Sequence, residues 1–112
     1  MKKFLIALFT TFTLMFSGSA SADYPSGPVQ FLVPWPPGDF EDILTRMIAE
    51  EWKVETGMPA SVVNRPGGGD GPFPGALEVL EAPADGSMIG SFVIGVPIIG
   101  PRIGIGIEQD SF

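Results

Sequence analysis

The segment VQFLVPWPPGDFEDILTR, residues 29–46, decides the fold. Val29 to Val33 is apolar apart from Gln30, with a β-branched valine at each end, and Pro34 ends the run, so it predicts a short buried strand. From Asp42 the period changes. Ile43, Leu44, Met47, Ile48 and Trp52 recur at helical spacing and predict one buried stripe, with Arg46, Glu50 and Lys53 on the wet face. Gly57 followed by Pro59 is a helix stop, the glycine supplying a left-handed cap. A strand therefore hands over to a helix through two adjacent prolines and a glycine.

The remainder repeats the pattern. ASVVN from Ala60 reads as a second strand, RPGGGDGPFPG as a glycine and proline loop, and ALEVLEA as a short helix with Leu77, Val79 and Leu80 at its apolar positions. After the Ala84-Asp85-Gly86 turn, SMIGSFVI predicts a third strand, and IGIGIE near the end alternates like another. The order is β-α-β-α-β, an α/β class in which parallel neighbours need a helix to return the chain. Ligands of open parallel sheets bind outside the carboxyl ends of the strands. Those ends carry Pro34 to Glu41, Arg65 to Phe73, and Gly95 to Pro97, all rich in glycine and proline. They read either as a rigid shelf of main chain that a ligand can approach closely or as plain tight turns.

The first 22 residues have Lys2 and Lys3, an apolar run from Phe4 to Phe16, and Ala20-Ser21-Ala22, the layout of a cleavable secretory signal. The run is shorter than the ~20 residues of a spanning helix. Domain boundaries are expected at 1–22 for the signal and 23–112 for one small α/β unit, with no membrane insertion after cleavage and a periplasmic location. The formal charge of −7 becomes −9 without the two lysines. Such a surface argues against nucleic acid and anionic membranes. With no Cys and no His, thiol nucleophiles, Ser-His dyads and the usual zinc sites are absent, and no cofactor or metal is implied. Pro66 to Gly71 lacks the Lys-Ser/Thr of a phosphate-binding P-loop, and Asp39, Glu41 and Asp42 lack EF-hand spacing.

The residues YPSGPVQFLVPWPPGDFEDILTRMIAEEWKVETGMPASVVNRPGGG, followed by PADGS, resemble the extracytoplasmic solute receptors of tripartite tricarboxylate transporters, the Bug family. Those receptors show a Tyr-Pro near the mature start, a strand ending in V-P-F-P-P-G-G, a T-D-I-L-A-R helix start, an E-N-R-P-G-A-G-G loop and a P-D-G turn. The resemblance implies part of a lobe of a periplasmic binding protein, type II-like, with a parallel sheet and flanking helices. It implies no catalysis, but capture of a small organic acid for a permease of one large and one small subunit. Trp35, Pro36, Pro37 and Gly38 match the family's first binding loop, and Asn64, Arg65, Pro66, Gly67 and Gly68 match the second. Ser91 to Pro97 would supply a third contact.

This chain departs from the family at Asp39-Phe40-Glu41, where Gly-Gly-Thr is common. Carboxylates here face a helix N-terminus that would otherwise welcome an anion. Locally, Asp39 reads as the N-cap and Asp42 as an acid near the third helical position. The family's receptors are about two to three times longer, the size of two domains, so the chain is expected to be the N-terminal portion of one, a truncated product. Two other readings stand beside the receptor: a secreted Rossmann-like nucleotide-binding enzyme fragment, whose ribose-binding acid would fall where Asn64 and Arg65 lie, and a non-functional pseudogene product.

Overall fold

The computed structural model describes residues 23–108, 110 and 111. The expected signal segment lies outside the described residues. Strand β1 (Val29–Val33) is followed by helix α1 (Phe40–Thr56), strand β2 (Ala60–Asn64), a 3-10 turn (Gly68–Asp70), helix α2 (Phe73–Glu81), strand β3 (Met88–Gly90) and helix α3 (Gly95–Ile103). The three strands form one sheet in the order β2-β1-β3, parallel throughout, with Phe31 opposite Val62 on one side and Ile89 on the other.

The central strand is the most apolar because a parallel strand covered on both faces has no wet side. Val29, Phe31, Leu32 and Val33 are buried. Val29 and Phe31 pack with Ala49 of α1, and Trp52, Ala60, Val62 and Ile89 close round them. The Trp52 ring meets Phe31 edge-on at 5.8 Å, and Tyr24 meets Trp52 at 5.9 Å. Leu32 points the other way, to α2, where Gly75 comes so close that an added Cβ would lie 2.8 Å from Pro34 Cβ and 3.2 Å from Leu32 Cδ2. A second apolar cluster joins Ala76 of α2, Val96 of α3 and Ile107.

Four expectations need correcting. Helix α1 starts at Phe40, not Asp42, and its stripe of Ile43, Leu44, Met47 and Ile48 is exposed. The face on the sheet is Asp42, Thr45 and Ala49, with Trp52 half-buried. Helix α2 begins three residues before Ala76, with Pro74 in its first turn, where the missing N–H has no helical partner to lose. Strand β3 stops at Gly90, since Phe92 folds back against that glycine's open side and the chain turns off the ladder. The IGIGIE stretch is no strand: Gly95–Ile103 is helical, Gly104 and Gly106 take positive φ, and Ile107 is driven into the second cluster.

Candidate functional site

All three strands end in the same direction, so the segments after them, Pro34–Asp39, Arg65–Pro72 and Ser91–Ile94, gather at one end of the sheet. The ladder runs one step beyond the strands, with Arg65 N–H donating to Val33 O (2.8 Å) and Ser91 N–H to Leu32 O (2.9 Å). Beyond that step, polar side chains of α1 and the end of β2 reach the loops.

Asp42 stands at the third position of α1 and is 3% exposed. Its Oδ2 accepts from the Gly38 main-chain N–H (2.8 Å) and from Arg46 Nε (3.1 Å). Its Oδ1 accepts from Asn64 Nδ2 (2.8 Å) and lies 2.9 Å from an Arg46 terminal nitrogen. Asn64 Nδ2 donates also to Trp35 O (3.0 Å), and Asn64 Oδ1 accepts from Arg46 (3.0 Å). One turn on, Thr45, 1% exposed, donates to Glu41 O (2.6 Å) and stands 3.0 Å from Ser91 Oγ. The first two turns of α1 thus touch the loop after β1, the last residue of β2 and the first residue after β3. The hydrogen bond from Arg46 above all, then those from Gly38 and Asn64, holds the Asp42 carboxyl down at about 2; Asp42 in turn raises Arg46. Asp39 occupies the N-cap as expected, but its side chain makes no capping bond. Asp42 bonds instead to the Gly38 N–H, just before the N-cap.

Between the first two loops lies a crevice of about 240 Å³ lined by Pro34, Trp35, Pro36, Pro66, Gly67, Gly68 and Gly71. It brings together five of the residues singled out in the sequence: Trp35, Pro36, Pro66, Gly67 and Gly68. Pro37 and Gly38 are exposed beyond its rim, Gly38 with φ of 93°. Asn64 spends both amide hydrogens on Trp35 and Asp42, and the Arg65 guanidinium turns to Glu78 of α2, with Nε 3.0 Å from Oε2. Gly67 is required where it stands, because a Cβ there would strike Gly71 O and the Pro74 ring. Trp35 Nε1 is buried without an acceptor, as is Trp52 Nε1 under Tyr24.

Sequence reasoning missed two features. Gly71 lines the crevice although it falls outside the recognised motifs, and only the turn geometry at Gly67–Gly71 brings it in. A larger apolar groove of about 470 Å³ runs along Phe73, Pro74, Leu77, Ile103 and Ile105. It depends on α3, which the sequence did not disclose. Among the described residues no group of acids is placed to hold a metal ion, and no helix is long and apolar enough to cross a membrane.

No known family profile matches the chain. It is 44% identical over 50 residues to Protein BugT of Bordetella pertussis, a stretch covering 44% of this chain and 15% of that protein. It is 33% identical over 94 residues to the UPF0065 protein of the TAR-I ttuE-ttuC' intergenic region of Agrobacterium vitis, covering 84% of this chain and 27% of that one. The chain is a Bug-family relative. A solved structure of a periplasmic transporter superposes with a TM-score of 0.65 at 28% identity, over 77% of this chain and 28% of that one. The likeness to that periplasmic transporter takes in the three-stranded parallel sheet and its helices. This chain spans less than a third of the length of each of these proteins.

Proposed function

We propose that this Bug-family chain is the crevice-bearing part of the N-terminal lobe of a periplasmic solute receptor, exported through a leader cleaved after Ala22. In this reading the receptor holds a small organic acid between Trp35-Pro36 and Pro66-Gly67-Gly68, with Pro37, Gly38, Asn64 and Arg65 framing the contact. It delivers the solute unchanged to a permease of one large and one small subunit. One observation carries the reading: two glycine and proline loops at the carboxyl ends of adjacent parallel strands face each other across the crevice. Such a shelf offers main chain and ring faces, which bind and orient, and among the described residues no nucleophile or general base lines it.

The test is a chimaera in which residues 23–108 replace the matching stretch of the Agrobacterium vitis relative. Calorimetry against mono-, di- and tricarboxylates should find one acid bound. Trp35→Ala should weaken that binding at least about tenfold, the scale of a lost pocket-lining aromatic, with little change in thermal midpoint. No heat from any acid, or unchanged affinity in Trp35→Ala, refutes the assignment.

A further inference from the structure

We infer that Asp42, Asn64 and Arg46 are positioning residues, a carboxylate, amide and guanidinium strut that couples the loop after β1 to the carboxyl end of β2 and so fixes the crevice before a solute arrives. The resemblance assigns Asn64 to ligand contact. Its side chain has no hydrogen left to give, since both are spent at 3.0 and 2.8 Å on Trp35 O and Asp42 Oδ1. Its oxygen is held by Arg46 at 3.0 Å.

The chain of contacts has a direction. Asn64 sits at the end of β2 and grips the Trp35 carbonyl on the facing loop. Asp42 receives Asn64 through one oxygen and Gly38, at the far end of that loop, through the other. Arg46 spans both partners, with contacts to Asp42 at 2.9 and 3.1 Å. The stretch from Trp35 to Gly38, whose first two residues line the crevice, is thereby clamped at both ends by groups that share one carboxylate. A loop held at one end swings about the other end, whereas a loop held at both keeps its rings and prolines in register with Pro66 and Gly67. Networks of this kind, mutually bonded around a buried carboxylate, couple their members, so that removing one loosens all. Thr45, reaching Ser91, extends the same logic to the third loop.

The inference rests on the receptor reading only for its consequence, because the loop geometry is measured without solute. The full chain carries two tryptophans, so 5-fluorotryptophan labelling gives two fluorine resonances, one in the crevice and one in the sheet core. Asn64→Ala should shift and broaden the Trp35 signal and leave that of Trp52 in place. The same variant should speed exchange of the Gly38 amide about fivefold, the effect of one weakened hydrogen bond, although Asn64 and Gly38 share no bond. Asp42→Ala should move the Trp35 signal in turn, and the double variant should go no further than the larger single one. Should Asn64→Ala disturb Trp52 as well, Asn64→Ser is read by the same criteria. Wild-type behaviour of Trp35 and Gly38 in the Asn64 variant, or additive effects in the double one, overturns the strut.

Discussion

Asp42 shows how a buried charge is kept in a chain whose described cations are few. Its carboxylate has four nitrogen partners within 3.1 Å, so the charged form is favoured over the neutral one and the acid titrates at about 2. An unfolded aspartate titrates near ~3.9. The native state therefore binds fewer protons than the unfolded one between these values. The stabilisation is full above about pH 4 and is lost as pH falls towards 2. Thermal midpoints of the wild type and Asp42→Asn, measured down the pH scale, should differ most above pH ~4 and converge near pH ~2. A gap that stays constant across this range would contradict the assignment. A second residue-scale expectation concerns Gly75. Alanine is ordinarily the better helix former by about 1 kcal/mol, yet here its Cβ would press on Pro34 and Leu32. Gly75→Ala should therefore destabilise the chain by about 1–3 kcal/mol in urea unfolding, as overpacked cores do.

At the scale of elements, α1 is where reading and structure part. Val29–Val33 was legible because a buried strand followed by proline has few alternatives, and the Gly57 stop was legible because a left-handed cap favours glycine; both hold, Gly57 with φ of 69°. The face of α1 was not legible from hydrophobic period. Its first two turns lie over the carboxyl ends of the strands, where loops leave polar groups to satisfy, so Asp42 and Thr45 win the inner face. Only its later turns, at Ala49 and Trp52, reach the apolar sheet. The apolar residues Ile43, Leu44, Met47 and Ile48 are left on the outer side. The T-D-I-L-A-R resemblance named the right acid without saying that it faces inward. Likewise Pro97 and Pro101 hid α3, since the second stands inside the helix and deletes a backbone bond. The consequence for α1 is a reversal of ordinary expectation. Met47→Gln should change stability by less than about 0.5 kcal/mol, as exposed sites do. Ala49→Leu should cost about 1–3 kcal/mol because no space faces it. Chemical denaturation of both variants decides the orientation, and a costly Met47→Gln beside a silent Ala49→Leu would turn the helix round.

At the scale of the molecule, charge and shape act together on what the crevice can hold. Of the cations among the described residues, Arg46 and Arg65 are nearest the loops and both are in ion pairs, with Asp42 and Glu78. Asp39, Glu41 and Asp70 stand on or beside the same loops. The sequence from residue 23 onward carries 4 Lys and Arg against 13 Asp and Glu, a formal −9. An anion approaching this end of the sheet meets a repulsive field that added salt screens within about 10 Å at 0.1 M. The crevice, at about 240 Å³, is smaller than the ~300–1,000 Å³ of sites that bury most of a ligand, and it is walled by two loops of a single sheet. The 112-residue chain by itself should accordingly bind carboxylates no tighter than about 1 mM, which corresponds to roughly −4 kcal/mol. Tricarboxylates should bind more weakly than monocarboxylates at low ionic strength, and the gap should narrow as salt is raised. Calorimetry with acetate, succinate and citrate at two salt concentrations measures both quantities. Micromolar binding of citrate at low salt would mean that a cationic group, not main chain and rings, governs recognition in this crevice, and that the pairing of Arg46 and Arg65 is broken when solute arrives.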